Sequence, residues 1–214
     1  MITNATSQLN DNSSTPWRRY RGLLPVAVVI VTALLLSLAG DLAQVALQFD
    51  RSLIQHGQLW RLLTGHIVHG NLHHAVLNVL GTALMAALFS RTYQFRSWLV
   101  IVFASAIAID VGLWIWMPRL EWYVGLSGVL HGVLAAGAVA WWKTEDRMLA
   151  MLLTLIMIGK LTWEQTQGAL PLSGELPVVV NAHLYGAIGG LIGAGICWRD
   201  VRDMKPRALP ANVV

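Results

Sequence analysis

The amino-acid sequence predicts an all-α fold, a polytopic membrane protein of six helices with both termini cytoplasmic. Three observations carry this expectation. Of 214 residues, 56% are hydrophobic and only 12% charged, about half the charge of an ordinary soluble domain. Several apolar runs approach or exceed the ~18–20 residues that cross a bilayer. Ten tryptophans, many flanking those runs, supply the aromatic belt of a membrane interface. The single Cys197 has no partner for an intramolecular disulfide, so no disulfide framework holds the fold. A net charge of +4 decides little by itself, because the position of each Lys and Arg matters more in such a chain.

Residues 1–16 are rich in Asn, Ser and Thr without apolar periodicity, and Trp17 to Arg21 form a basic, aromatic anchor. Residues 1–21 are therefore expected to be a disordered cytoplasmic tail with its anchor. Residues 22–198 make the membrane domain, and 199–214 a basic cytoplasmic tail with Arg199, Arg202, Lys205 and Arg207. The first span is expected from about Leu23 to Leu42. Its apolar run is long for a cleavable signal peptide, so it is read as a span. Gln44 to Leu72 reads as a long amphipathic loop. The second span runs from about His69 to Phe89 and is polar in its upper third, and the third runs from Trp98 to Met117, interrupted by Asp110. The fourth opens at Gly125 and ends at Trp142. The fifth is placed at Met148 to Trp163, with Lys160 snorkelling to the interface. Residues 164–177 read as a loop, and the sixth span covers about Val178 to Trp198.

Orientation follows from the basic residues. With the N-terminus inside, the cytoplasmic side collects Arg18, Arg19, Arg21, Arg91, Arg96, Lys143, Arg147, Arg199, Arg202, Lys205 and Arg207. The other side has Arg51, Arg61, Arg119 and Lys160. That is a positive-inside bias.

Three polar groups then fall at one depth. Ser127 lies sixteen residues from Lys143, His183 sixteen from Arg199, and His74 seventeen from Arg91. At 1.5 Å per residue each is roughly 24–26 Å from the cytoplasmic boundary. Asn78 is one turn from His74 on the same face. Polar groups in hydrocarbon are costly unless they face one another or a wet cavity. Two small-residue stripes, Gly128-xxx-Gly132 and Gly186-xxx-Gly190, would let the fourth and sixth helices approach closely. The bland alternative is a serine that back-bonds to its own helix or eases helix packing.

The chemistry that fits is acyl transfer. A serine hydroxyl becomes a nucleophile when a neutral imidazole takes its proton, which casts Ser127 as nucleophile and His183 as base. The start of the fourth helix offers free N–H groups to an oxyanion, with His74 and Asn78 as further donors. No carboxylate is placed to orient His183, so a Ser–His dyad is expected rather than a triad. Asp110, the one acid away from the ends of a span, reads better as a polar residue bonded within the bundle. His131, one turn from Ser127, is expected to pack on or bond to His183, or else to bond a backbone carbonyl. No cofactor and no catalytic metal are expected.

At this point the chain resembles the rhomboid intramembrane serine proteases. The resemblance rests on Trp60-Arg61, on His69-x4-His74-x3-Asn78, on Gly125-x-Ser127-Gly128 and on Ala182-His183-x2-Gly186-x3-Gly190. It implies Ser127 as nucleophile, His183 as base, and His74 with Asn78 at the oxyanion; Gly125, Gly128, His131, Gly186 and Gly190 are expected to support them. The sequence departs from the familiar pattern at His131, where an aromatic residue commonly packs on the catalytic histidine. Gly-Leu-Ser-Gly-Val-Leu-His-Gly and the compact length resemble the rhombosortase branch of bacterial rhomboids. That resemblance implies a bacterial inner-membrane protein whose site opens to the periplasm. It also implies substrates anchored in the bilayer by a single C-terminal helix, behind a Gly-Gly motif and ahead of a basic end. Nucleic acid is not among the expected partners.

Rival readings are a metal site at His66, His69, His73 and His74, and an inactive relative that binds membrane helices. Intact Ser127 and His183 speak against both. A proton-coupled transporter would call for paired mid-membrane acids and an internal repeat, which the sequence lacks.

Overall fold

The computed structural model describes residues 23–143, 147–169 and 178–201. The expectations for the tail at 1–21, and for Arg202, Lys205 and Arg207, lie outside the described residues. The chain is mostly helical, as expected, and its long elements are α1 Leu24–Leu38, α5 Leu72–Phe89, α6 Phe95–Trp116, α7 Ser127–Trp142, α8 Arg147–Gln167 and α9 Val180–Ile196. Helices α5, α6 and α8 are long and apolar enough to cross a membrane. Helix α1 reaches that length only together with α2, Asp41–Leu47, to which it is bent by 115°. The bend falls at Gly40, with φ +61°, so the apolar run read as one span to Leu42 breaks short of it. Helices α7 and α9 are shorter, at 16 and 17 residues.

The segment read as an amphipathic loop folds into short pieces, α3 Arg51–Gln55 and α4 Arg61–Thr64, after a two-residue strand β1. β1, Phe49–Asp50, pairs antiparallel with β2, Trp122–Tyr123, which ties this segment to the chain entering α7. Two buried or half-buried arginines hold it. The Arg61 guanidinium donates to the Val45 and Gln48 carbonyls and to Gln58 Oε1. Arg51 donates to the carbonyls of Leu113, Met117 and Leu120, satisfying acceptors that the end of α6 leaves open.

Helices α7 and α9 run side by side with backbone against backbone. A Cβ on Gly128 would come 2.9 Å from the Ala182 carbonyl, and one on Gly132 2.6 Å from the Gly186 carbonyl. A Cβ on Gly186 would overlap the Gly128 carbonyl, and one on Gly190 that of Gly132. The small-residue stripes therefore set the spacing of these two helices, as the sequence predicts. At their far ends Lys143 donates to the Trp198 carbonyl at 2.7 Å, so the two helices are parallel. Ser97, at the start of α6, bonds Asp200 at 2.9 Å and brings that end to the same side. A core of Phe49, Ile109, Leu113, Tyr123, Val129 and Ala182 lies under the start of α7. By contrast, α8 buries only Ala150, Met157 and Glu164, one stripe at seven-residue spacing.

Candidate active site

Ser127 is the first residue of α7. Two contacts deliver it there. The Gly125 N–H donates to the Gly65 carbonyl at 2.9 Å, and the Tyr123 hydroxyl donates to the Gly125 carbonyl at 2.9 Å. Burial pushes the Tyr123 phenol up, so it remains a donor. Gly125 has φ +117°, and a Cβ there would sit 2.6 Å from His74 Cε1. Only glycine serves both needs. The start of α7 is not capped by a side chain.

Across the α7–α9 contact, the Ser127 hydroxyl and His183 Nε2 are 2.9 Å apart. The Ser–His pair inferred from depth and glycine stripes is therefore in hydrogen-bond contact. The expectation that no carboxylate orients His183 fails. His183 Nδ1 donates to Glu164 Oε2 at 2.8 Å, and Glu164 is 3% exposed. The physical reason is the length of α8, which continues to Gln167 where a loop was expected from residue 164. The three side chains form a serine–imidazole–carboxylate chain, in which the carboxylate fixes the tautomer that leaves Nε2 free to accept. Asp110 lies elsewhere, its Oδ1 3.3 Å from His66 Nε2.

Lys160 does not snorkel to the interface. Its ammonium donates to Glu164 Oε1 and, at 2.9 Å, to His131 Nε2. His131 meets both expectations at once. Its ring stacks on His183, with centroids 4.1 Å apart and planes 16° from parallel. Its Nδ1 donates to the Ser127 carbonyl at 2.7 Å.

A cavity of about 290 Å³ opens over Ser127, with His74, Trp122, Val124 and Val179 in its wall. His74 and Ser127 thus line the same open space. Asn78 is buried one turn below, its amide N–H donating to the His74 carbonyl at 2.9 Å. His69, in the loop ahead of α5, makes an edge-on contact with His74 at 5.1 Å. Burial, with His74 adding to it, lowers His69 to about 4, so it stays neutral near pH 7.

Of the four histidines considered for a metal, His66 turns to Asp110 and His69 to His74. Among the described residues the one trio with converging donor atoms is His131, Glu164 and His183, within 4.8 Å of one another. The Lys160 ammonium already contacts two of these three, so a positive charge is built into the cluster.

The Rhomboid domain family matches residues 56–200. A curated relative, "Rhomboid protease GluP" of Bacillus subtilis (strain 168), is 27% identical over 149 residues. That alignment covers 68% of this chain and 29% of the relative, so the chain spans under a third of that protein's length. With well over half of its residues inside the family match, the chain belongs to the rhomboid family.

Proposed function

We propose that this multi-pass membrane protein is an intramembrane serine endopeptidase. The observation that carries the reading is the hydrogen-bonded series Ser127–His183–Glu164 beneath an open cavity. The Ser127 oxygen attacks the scissile carbonyl as its proton moves to His183 Nε2. First-turn N–H groups of α7, with the His74 and Asn78 side chains, are the donors to the oxygen that gains charge. Collapse breaks the C–N bond, and the leaving amine takes the proton from His183. A water then adds to the Ser127 ester, giving its proton to His183. The ester C–O bond breaks, Ser127 is reprotonated and the acid product departs. Gly125, Gly128, Gly186 and Gly190 allow the close approach this needs, and no cofactor takes part.

Six spans with both termini in the cytoplasm and the cavity toward the periplasm of a bacterial inner membrane fit the basic-residue bias. Lys143 and Trp198, joined at the opposite end from Ser127, also support this. The substrates are membrane proteins held by one C-terminal helix behind a Gly-Gly motif and ahead of basic residues. The motif resemblance to rhombosortases supports that class.

The test is cleavage by the full chain in liposomes of a reporter carrying such a tail. Cleavage near the Gly-Gly motif is expected, and replacing both glycines by valine should slow it at least about tenfold. Equal cleavage of the two reporters would remove the tail assignment. Failure to cleave any helical substrate would remove the protease reading.

A further inference from the structure

The Lys160 side chain has no part in the reaction steps above, yet it reaches two groups that do or that touch one. Its ammonium donates to Glu164 Oε1 and His131 Nε2. An ammonium only donates and a backbone carbonyl only accepts. His131 Nδ1 meets the Ser127 carbonyl, so that nitrogen carries the proton. His131 Nε2 meets the ammonium, so that nitrogen is a lone pair. The two contacts leave His131 one state, the neutral Nδ1–H tautomer. Glu164 is gripped in the same way, with Oε1 on Lys160 and Oε2 on His183.

The stack gives this selection its consequence. His131 and His183 lie face to face at 4.1 Å, and a proton on one ring disfavours a proton on the other. Catalysis needs the proton on His183. The charged and titratable groups around the pair are Lys160 and Glu164 from α8 and His74 from α5. Of these, only the ammonium contacts His131. Resting on the protease reading, we propose that Lys160 is a positioning residue that locks His131 as a neutral Nδ1–H imidazole and holds Glu164 against His183, so that His183 alone of the stacked pair receives the serine proton.

This assigns a role to a lysine paired i,i+4 with a buried carboxylate, where a purely structural ion pair would also place one. The distinguishing readout is the protonation of His131, observed by nitrogen NMR of histidine-labelled full-length protein in micelles, with His131→Phe to assign the signal. In the wild type, His131 should show a protonated Nδ1 and a lone-pair Nε2, unchanged between about pH 6 and 9. In Lys160→Met, His131 should titrate or mix tautomers in that range. Turnover should fall roughly 10- to 100-fold with KM unchanged. Lys160→Arg keeps the charge and should restore the single tautomer and part of the turnover. A protonated His131 Nε2 in the wild type overturns the proposal without any variant. An unaltered His131 signal in Lys160→Met overturns it as well, whatever the rate. The NMR arm stands apart from proteolysis, so failure of the protease reading would show separately, as absence of cleavage by a protein whose His131 is locked.

Discussion

Replacing Ser127 by alanine is expected to abolish cleavage while the protein stays folded. The hydroxyl lies 2.9 Å from His183 Nε2, and removing it leaves the base with no nucleophile to activate. Alanine is a better helix former than serine and adds no atom to the glycine-lined contact between α7 and α9. Loss of a nucleophile that acts with its base as a unit costs about 10⁴- to 10⁶-fold. His183→Ala should match it, and the double variant should be no worse than either single one, since neither group works without the other. Turnover in liposomes and a thermal melt of each variant measure this. Residual turnover above a few per cent in pure Ser127→Ala would show that the reaction runs through another group.

The second large effect is expected at Glu164. In Glu164→Gln the Lys160 ammonium selects the amide oxygen, because it meets Oε1 and can only donate. The amide NH₂ then faces His183 Nδ1, where a carboxylate oxygen stood at 2.8 Å. Two donors cannot share that contact, so His183 shifts its proton to Nε2, the atom that must accept from Ser127. A wrong tautomer of this kind lowers kcat by about 10³- to 10⁴-fold. KM should hold, because Glu164 is buried behind the imidazole and is not in the cavity wall. A dyad indifferent to its carboxylate would lose only a few-fold, and that result would return Glu164 to a structural ion pair.

The missed carboxylate shows where the sequence was legible and where it was not. Ser127, His183 and their approach could be read because each lies on a long apolar helix, so counting residues from a basic boundary gives its depth. The glycine stripes then say which two helices touch, and the four-residue spacing puts His131 on the same face as Ser127. Glu164 escaped because Trp163-Glu164-Gln165-Thr166-Gln167 looks like the end of a span. In the bundle α8 runs on through it, since Glu164 gains two strong donors inside. The same depth count would have found it, as Glu164 stands seventeen residues from Arg147, close to the sixteen between Ser127 and Lys143. The i,i+4 pair with Lys160 was a second signal that the helix continued. The β1–β2 pairing and the grip of Arg51 on the end of α6 were not legible, because both join segments some seventy residues apart, and no local pattern encodes such a contact. The break at Gly40 was open to view, but the apolar run on either side concealed it.

In the proposed reaction Ser127 is a nucleophile activated by His183. A fluorophosphonate, which bonds preferentially to an activated serine oxygen, probes this when the full chain is labelled in liposomes and the adduct is mapped by peptide mass spectrometry. One adduct is expected, on Ser127, lost in Ser127→Ala and in His183→Ala. An adduct on another residue that persists in Ser127→Ala, or an active enzyme that takes no label, would contradict it.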